Sequence, residues 1–87
     1  MKKVLIIGGA ISGCGAARLL NSRGCEVYLT DLGKIEQQRE LEELGIKVFP
    51  NGHPDKLKEL KYDLIVKNPG IKYDTPFVKY FCDAGYK

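Results

Sequence analysis

The chain is 87 residues long, which allows one small domain with a modest core. Apolar residues make up 44% and charged residues 29%, a balance that fits a folded soluble chain and excludes an intrinsically disordered one. The net charge of +3 is spread along the sequence, without the clustered Lys/Arg stripe of a nucleic-acid-binding surface. No apolar stretch approaches the roughly 20 residues of a membrane span, and no signal-peptide core precedes a cleavage site. The expectation is a cytoplasmic protein with neither nucleic acid nor membrane as partner. Cys14, Cys25 and Cys82 are widely spaced, with no CxxC pair. They read as reduced thiols, two of them half-buried packing residues, and not as a disulfide or a metal site.

In chain order, the apolar run Val4-Leu5-Ile6-Ile7 leads straight into Gly8-Gly9-Ala10-Ile11-Ser12-Gly13, with a helical pattern behind it. Strand, glycine-rich turn and helix in that order open a nucleotide-binding βαβ unit, whose helix points free N–H groups and its positive dipole end at a phosphate. The spacing predicts a strand over 3–8 and a helix over 13–23, with Ala16, Leu19 and Leu20 as its apolar stripe. A strand over 26–30, a helix over 35–44 with a weaker stripe of Ile35, Leu41 and Leu44, and a strand over 46–49 follow. A short helix near 55–60, N-capped by Asp55 after Pro54, precedes a strand over 63–67. A helix near 75–84 then has Thr75 as cap and Pro76 in its first turn.

Two phrases repeat. Residues 21–28 and 42–49 each end a helix, place a glycine (Gly24 or Gly45) at the left-handed C′ position, and start a strand. A third copy begins at Cys82-Asp83-Ala84-Gly85-Tyr86-Lys87, where a fifth strand would start, so the chain reads as a truncated fragment. Loss of that strand should leave the fourth strand as an open edge and uncover Phe77, Val78 and Phe81 on the last helix. Alternating strands and helices with short connections imply an α/β fold: a Rossmann-like three-layer αβα arrangement around a parallel sheet of four strands in the order 3-2-1-4. Residues 1–87 read as a single domain.

In such a sheet the ligand lies beyond the carboxyl ends of the strands, where the order reverses between the first and fourth. The loops 8–13, 31–34 and 67–71 meet there. The first departs from GxGxxG by placing Ala10 at the second glycine, which weakens the case for NAD or FAD; Ser12 adds a hydroxyl at the helix start, able to cap it or to reach a phosphate oxygen. The same small residues also suit a tight turn that only packs helix on sheet. Asp31 lies roughly 20 residues past the turn, where a ribose-binding acid would sit, and it could instead cap the segment Leu32-Gly33-Lys34. In the third loop Asn68 is held extended by Pro69, and Gly70 can turn with positive φ and expose its N–H. His53 has no Cys or His at ligand spacing and reads as a surface-loop histidine. Lys34 to Glu43 read as the solvated face of the second helix, and Tyr62, Tyr73 and Tyr80 as packing or rim residues.

Val4 to Asp31 and Asp63 to Ile71 resemble the N-terminal domain of the Mur ligase family, most of all its D-glutamate-adding branch. That family's first loop reads Gly-x-[Gly/Ala]-x-[Ser/Thr]-Gly, matched by Gly8, Ala10, Ser12 and Gly13. Gly13 to Leu20 match the helix behind it, Asp31 the acid after the second strand, and Asn68-Pro69-Gly70-Ile71 the signature Ser-Pro-Gly-Ile. The resemblance implies an enzyme of three domains. The first would hold the UDP part of UDP-N-acetylmuramoyl-L-alanine, the second would bind ATP with Mg, and the third would receive D-glutamate. ATP would phosphorylate the substrate carboxylate, and the amine would attack the acyl phosphate to form the amide. By the same resemblance Ile11, Ser12 and Gly13 contact uracil and diphosphate, Asp31 and Leu32 flank the uracil, and Asn68, Gly70 and Ile71 cradle phosphate and the start of the sugar. Leu32-Gly33 stand where the family often has a polar or basic pair.

No P-loop GxxxxGK[ST] and no paired catalytic carboxylates occur, so the fragment is expected to bind and not to catalyse, with no catalytic residue, metal ligand or cofactor of its own. The alternative is the nucleotide-binding half of an NAD(P)- or FAD-dependent oxidoreductase, against which Ala10 and the Asn-Pro-Gly loop speak. A flavodoxin-like regulatory module would carry an acidic cluster after the first strand, which is missing here.

Overall fold

Strand β1 (Lys3–Ile7) is buried from Val4 to Ile7, as a strand covered on both faces must be. Its two-residue period sends Val4 and Ile6 into one hydrophobic cluster and Leu5 and Ile7 into another on the opposite face. The computed structural model describes residues 2–9, 11–67 and 76–83, and of Ile11 and Ser12 only the backbone. β1 pairs in parallel with β2 (Glu26–Thr30) and with β4 (Leu64–Lys67), and β3 (Lys47–Phe49) lies beyond β2. The order is β3-β2-β1-β4, as the alternation of elements predicts. Helices α1 (Ile11–Ser22) and α2 (Gln38–Glu43) cover one face through Cys14, Ala17 and Leu41. A short 3-10 helix (Asp55–Glu59) and α3 (Pro76–Asp83) cover the other through Leu57, Phe77, Val78 and Phe81.

Several expectations are corrected by packing. α1 starts at Ile11 and not at residue 13, because Gly8 at φ 112° turns the chain early. Its buried stripe runs through the small residues Gly13, Cys14 and Ala17, which bring the helix close to the sheet, while Leu19 is exposed. α2 is confined to 38–43. Ile35 still enters the core, from the turn before the helix, whereas Leu44 sits past its last turn and is exposed. β3 starts at 47 and β4 at 64, each one residue later than expected, and β1 ends at Ile7. Asp55 is not an N-cap: Pro54 holds that position in extended conformation, and the Asp55 carboxylate pairs with Lys58 at 3.6 Å. Phe77, Val78 and Phe81 are buried, not uncovered, because α3 lays them on Leu5, Ile7, Leu57 and Tyr62; Tyr80 is exposed on the same helix. Tyr62 is core and Tyr80 is rim. All three cysteines are free: Cys14 is buried, Cys25 half-buried and Cys82 exposed. Thr75, Tyr73 and the third copy of the repeated phrase lie outside the described residues.

The two echoing phrases build the same helix stop. Cys25 N–H donates to Leu20 O and Ile46 N–H to Leu41 O, both at 3.1 Å, around Gly24 (φ 85°) and Gly45 (φ 95°). Nothing lies within 4 Å of a Cβ built at either glycine. Gly24→Ala and Gly45→Ala should therefore each cost about 1 kcal/mol from backbone strain alone. Urea denaturation would show this as a lower midpoint at unchanged slope.

Candidate ligand site at the carboxyl ends of the strands

Gly8 leaves β1 buried, with its N–H donating to Thr30 O at 2.8 Å, and so ties the first turn to the end of β2. Gly9 N–H donates to Asp31 Oδ2 at 2.5 Å, and Gly33 N–H donates to Asp31 Oδ1 at 2.9 Å. One carboxylate thus holds the glycine-rich turn and its own Asx turn at once. The capping alternative for Asp31 is real, and it is joined to the first loop by the same side chain. Glycine is needed here for space. A Cβ on Gly13 would lie 1.9 Å from Gly8 O, and one on Gly9 would lie 2.7 Å from Ile35 Cγ1. Cys14 closes the turn from the helix side, its Sγ–H donating to Gly9 O at 3.3 Å; burial pushes this thiol above its ordinary pKa, against the opposing pull of Arg18.

After β3 the chain crosses to the other face. Asn51 (φ 61°) and Gly52 (φ 134°) form the corner, with Asn51 N–H on Gly33 O and Gly52 N–H on Asp31 O, both at 2.9 Å. The corner delivers His53 to the end of β2. Its Nδ1 is 2.8 Å from Oγ1 of the buried Thr30, whose hydroxyl also donates to Gly52 O at 3.3 Å. The imidazole stacks on Phe77, with centroids 4.4 Å apart and planes 19° from parallel. Burial pushes the His53 pKa down, with Asp31 pulling weakly the other way, so the neutral ring prevails at pH 7. Leu32, His53, Asp55, Lys58, Pro76 and Phe77 line an open cleft of about 330 Å³.

Of the residues that the sequence singles out, Gly13, Asp31 and Leu32 sit at this edge, and the backbone of Ile11 and Ser12 forms the first turn of α1. Asn68, Gly70, Ile71 and Ala10 lie outside the described residues. The register sets Ile7 opposite both Thr30 and Lys67, so β1, β2 and β4 end side by side. Sequence reasoning passed over His53 and Thr30. The signal was a hydroxyl ending the otherwise apolar run Val27-Tyr28-Leu29, with the histidine directly after the Asn-Gly corner.

The match to known proteins covers almost the whole chain. It is 44% identical over 87 residues to the UDP-N-acetylmuramoylalanine--D-glutamate ligase of Geobacillus sp. (strain WCH70), covering 97% of this chain and 19% of that protein. It is 48% identical over 80 residues to the ligase of the same name from Streptococcus thermophilus (strain LMD-9), covering 88% of this chain and 18% of the relative. The chain is a relative of the Mur ligases. It spans about a fifth of the length of the curated relatives it matches. A crystal structure of a murein peptide ligase from Psychrobacter arcticus superimposes with a TM-score of 0.87 at 20% identity, over 100% of this chain and 18% of that one, which shows the Rossmann-like fold. No family model matches. Among the described residues no helix is long and apolar enough to cross a membrane.

Proposed function

We propose that this chain is the N-terminal substrate-binding domain of an ATP-dependent, amide-bond-forming ligase, and that it holds the UDP moiety of UDP-N-acetylmuramoyl-L-alanine while D-glutamate is added in cytoplasmic peptidoglycan precursor synthesis. The observation that carries this reading is the turn Gly8-Gly9 tied through Asp31 to the end of β2 in front of α1, in a chain so similar to D-glutamate ligases. The free N–H groups of the first turn of α1 bind the diphosphate, favoured by the helix dipole. Gly9 and Gly13, which have no room for a Cβ against Ile35 and Gly8 O, let the turn close in front of the helix. The exposed Leu32 offers an apolar face to the uracil, and Asp31 keeps the two loops in register. Asn68, Gly70 and Ile71 complete the phosphate and sugar contacts in the same reading.

ATP, magnesium and D-glutamate belong to further domains. Among the described residues no group of His, Cys, Asp and Glu could hold a metal ion, so no step through magnesium is assigned to this chain. Its own contribution is to bind and orient the uridine end of the substrate. UDP titrated into the chain should bind weakly and shift the amide resonances of Gly8, Gly9, Gly13 and Gly33. Tighter binding of NAD than of UDP would favour the oxidoreductase reading, and shifts confined to the opposite end of the sheet would overturn the site itself.

A further inference from the structure

We infer that His53 is the specificity-determining residue for the base at this site, its Nε2 accepting the N3–H of a uracil ring that enters the cleft beside Leu32. The inference rests on the UDP reading above and adds what reads the base.

Its first support is that Asp31 does not line the cleft, its carboxylate being turned to the backbone N–H groups of Gly9 and Gly33. Leu32 and Gly33, which follow it, carry no polar side-chain atom. Among the residues lining the cleft, the polar side chains are therefore His53, Asp55 and Lys58. Asp55 and Lys58 pair with each other at 3.6 Å, and the Lys58 ammonium also lies 5.0 Å from the Tyr80 ring. His53 remains.

The second support is the tautomer. Thr30 Oγ1 contacts both His53 Nδ1 and Gly52 O, and a hydroxyl has one proton to give. Both contacts are hydrogen bonds only if Nδ1–H donates to Oγ1 and the hydroxyl donates to Gly52 O. That relay leaves Nε2 unprotonated, an acceptor with no partner among the described residues. Stacking on Phe77 fixes the ring plane. An acceptor there matches the N3–H of uracil and opposes N3 of cytosine, which is itself an acceptor. Protonation of His53 turns Nε2 into a donor and reverses the match. The charged groups around the ring are Asp31 at the end of β2 and the pair Asp55 and Lys58 on the 3-10 helix.

The test is calorimetric titration of the 87-residue chain with UDP, CDP and pyrophosphate. At pH 7.5 UDP should bind about tenfold more tightly than CDP, the ratio expected for one directed hydrogen bond against an unpaired acceptor. His53→Phe keeps a ring on Phe77 and should bring UDP down to the level of CDP, with pyrophosphate unchanged. Thr30→Val, which unlocks the tautomer, should narrow the same ratio. In the unmodified protein the ratio should shrink as the pH is lowered through the His53 titration, a readout that needs no variant to fold. UDP binding that survives His53→Phe with its preference over CDP intact, or a ratio indifferent to pH, would overturn the assignment of His53 and leave the UDP reading standing. Failure of both UDP and pyrophosphate to bind the unmodified chain would overturn the two together.

Discussion

Replacing Gly13 by valine should strongly destabilise the domain before any question of ligand arises. The added Cβ would lie 1.9 Å from Gly8 O, a backbone atom that cannot move without breaking the turn and its bond to Thr30. Forced overpacking against backbone costs about 3 kcal/mol or more. A domain of this size holds roughly 4–13 kcal/mol in total. At about 4–8 °C per kcal/mol, the thermal midpoint should fall by about 12 °C or more. Gly15, two residues further along the same helix, meets nothing within 4 Å, and Gly15→Ala should gain about 0.5–1 kcal/mol from helix propensity. Circular dichroism melts of the two variants separate the effects. Equal melts for Gly13→Val and the unmodified chain would mean that α1 does not pack on Gly8 as described. A loss of UDP binding in Gly13→Val therefore says little about contact with the ligand. The third glycine of the turn is there first to let helix and strand meet.

Asp31→Ala should be the next most damaging change, at about 2–4 kcal/mol, because it removes two charge-assisted bonds to backbone N–H groups on different loops. Asp31→Asn keeps one acceptor oxygen and should cost about half as much. The loss should be local before it is global: amide exchange at Gly9 and Gly33 should accelerate more than at Leu5 or Leu29, which lie in the centre of the sheet. Unchanged exchange at Gly9 would show that the turn holds itself without Asp31. The same experiment bears on the proposed function, since a carboxylate that fastens both loops shapes the proposed phosphate site whether or not it touches the nucleotide.

The architecture was legible in the sequence because it depends on short-range chemistry. The strand run Val4 to Ile7, the glycine stops at Gly24 and Gly45 and the turn Gly8-Gly9 each act through their own backbone or their nearest neighbours. With the right-handed crossover rule they leave one strand order, which the structure has. Asp31 could likewise be placed just past the carboxyl end of β2 from the sequence alone. What the linear pattern could not supply was which side of each helix faces the sheet and which distant residues meet. Leu19 reads as core and is exposed, because α1 approaches on Gly13, Cys14 and Ala17, and only the close contact with Gly8 decides that face. Phe77, Val78 and Phe81 read as uncovered and are buried, because α3 folds back over Leu57 and Tyr62. His53 reads as a loop residue; its place at the end of β2 depends on Thr30 and Phe77, 23 and 24 positions away in opposite directions along the chain. Local propensity and periodicity specify elements, and only the three-dimensional sum of packing and hydrogen bonding selects such partners.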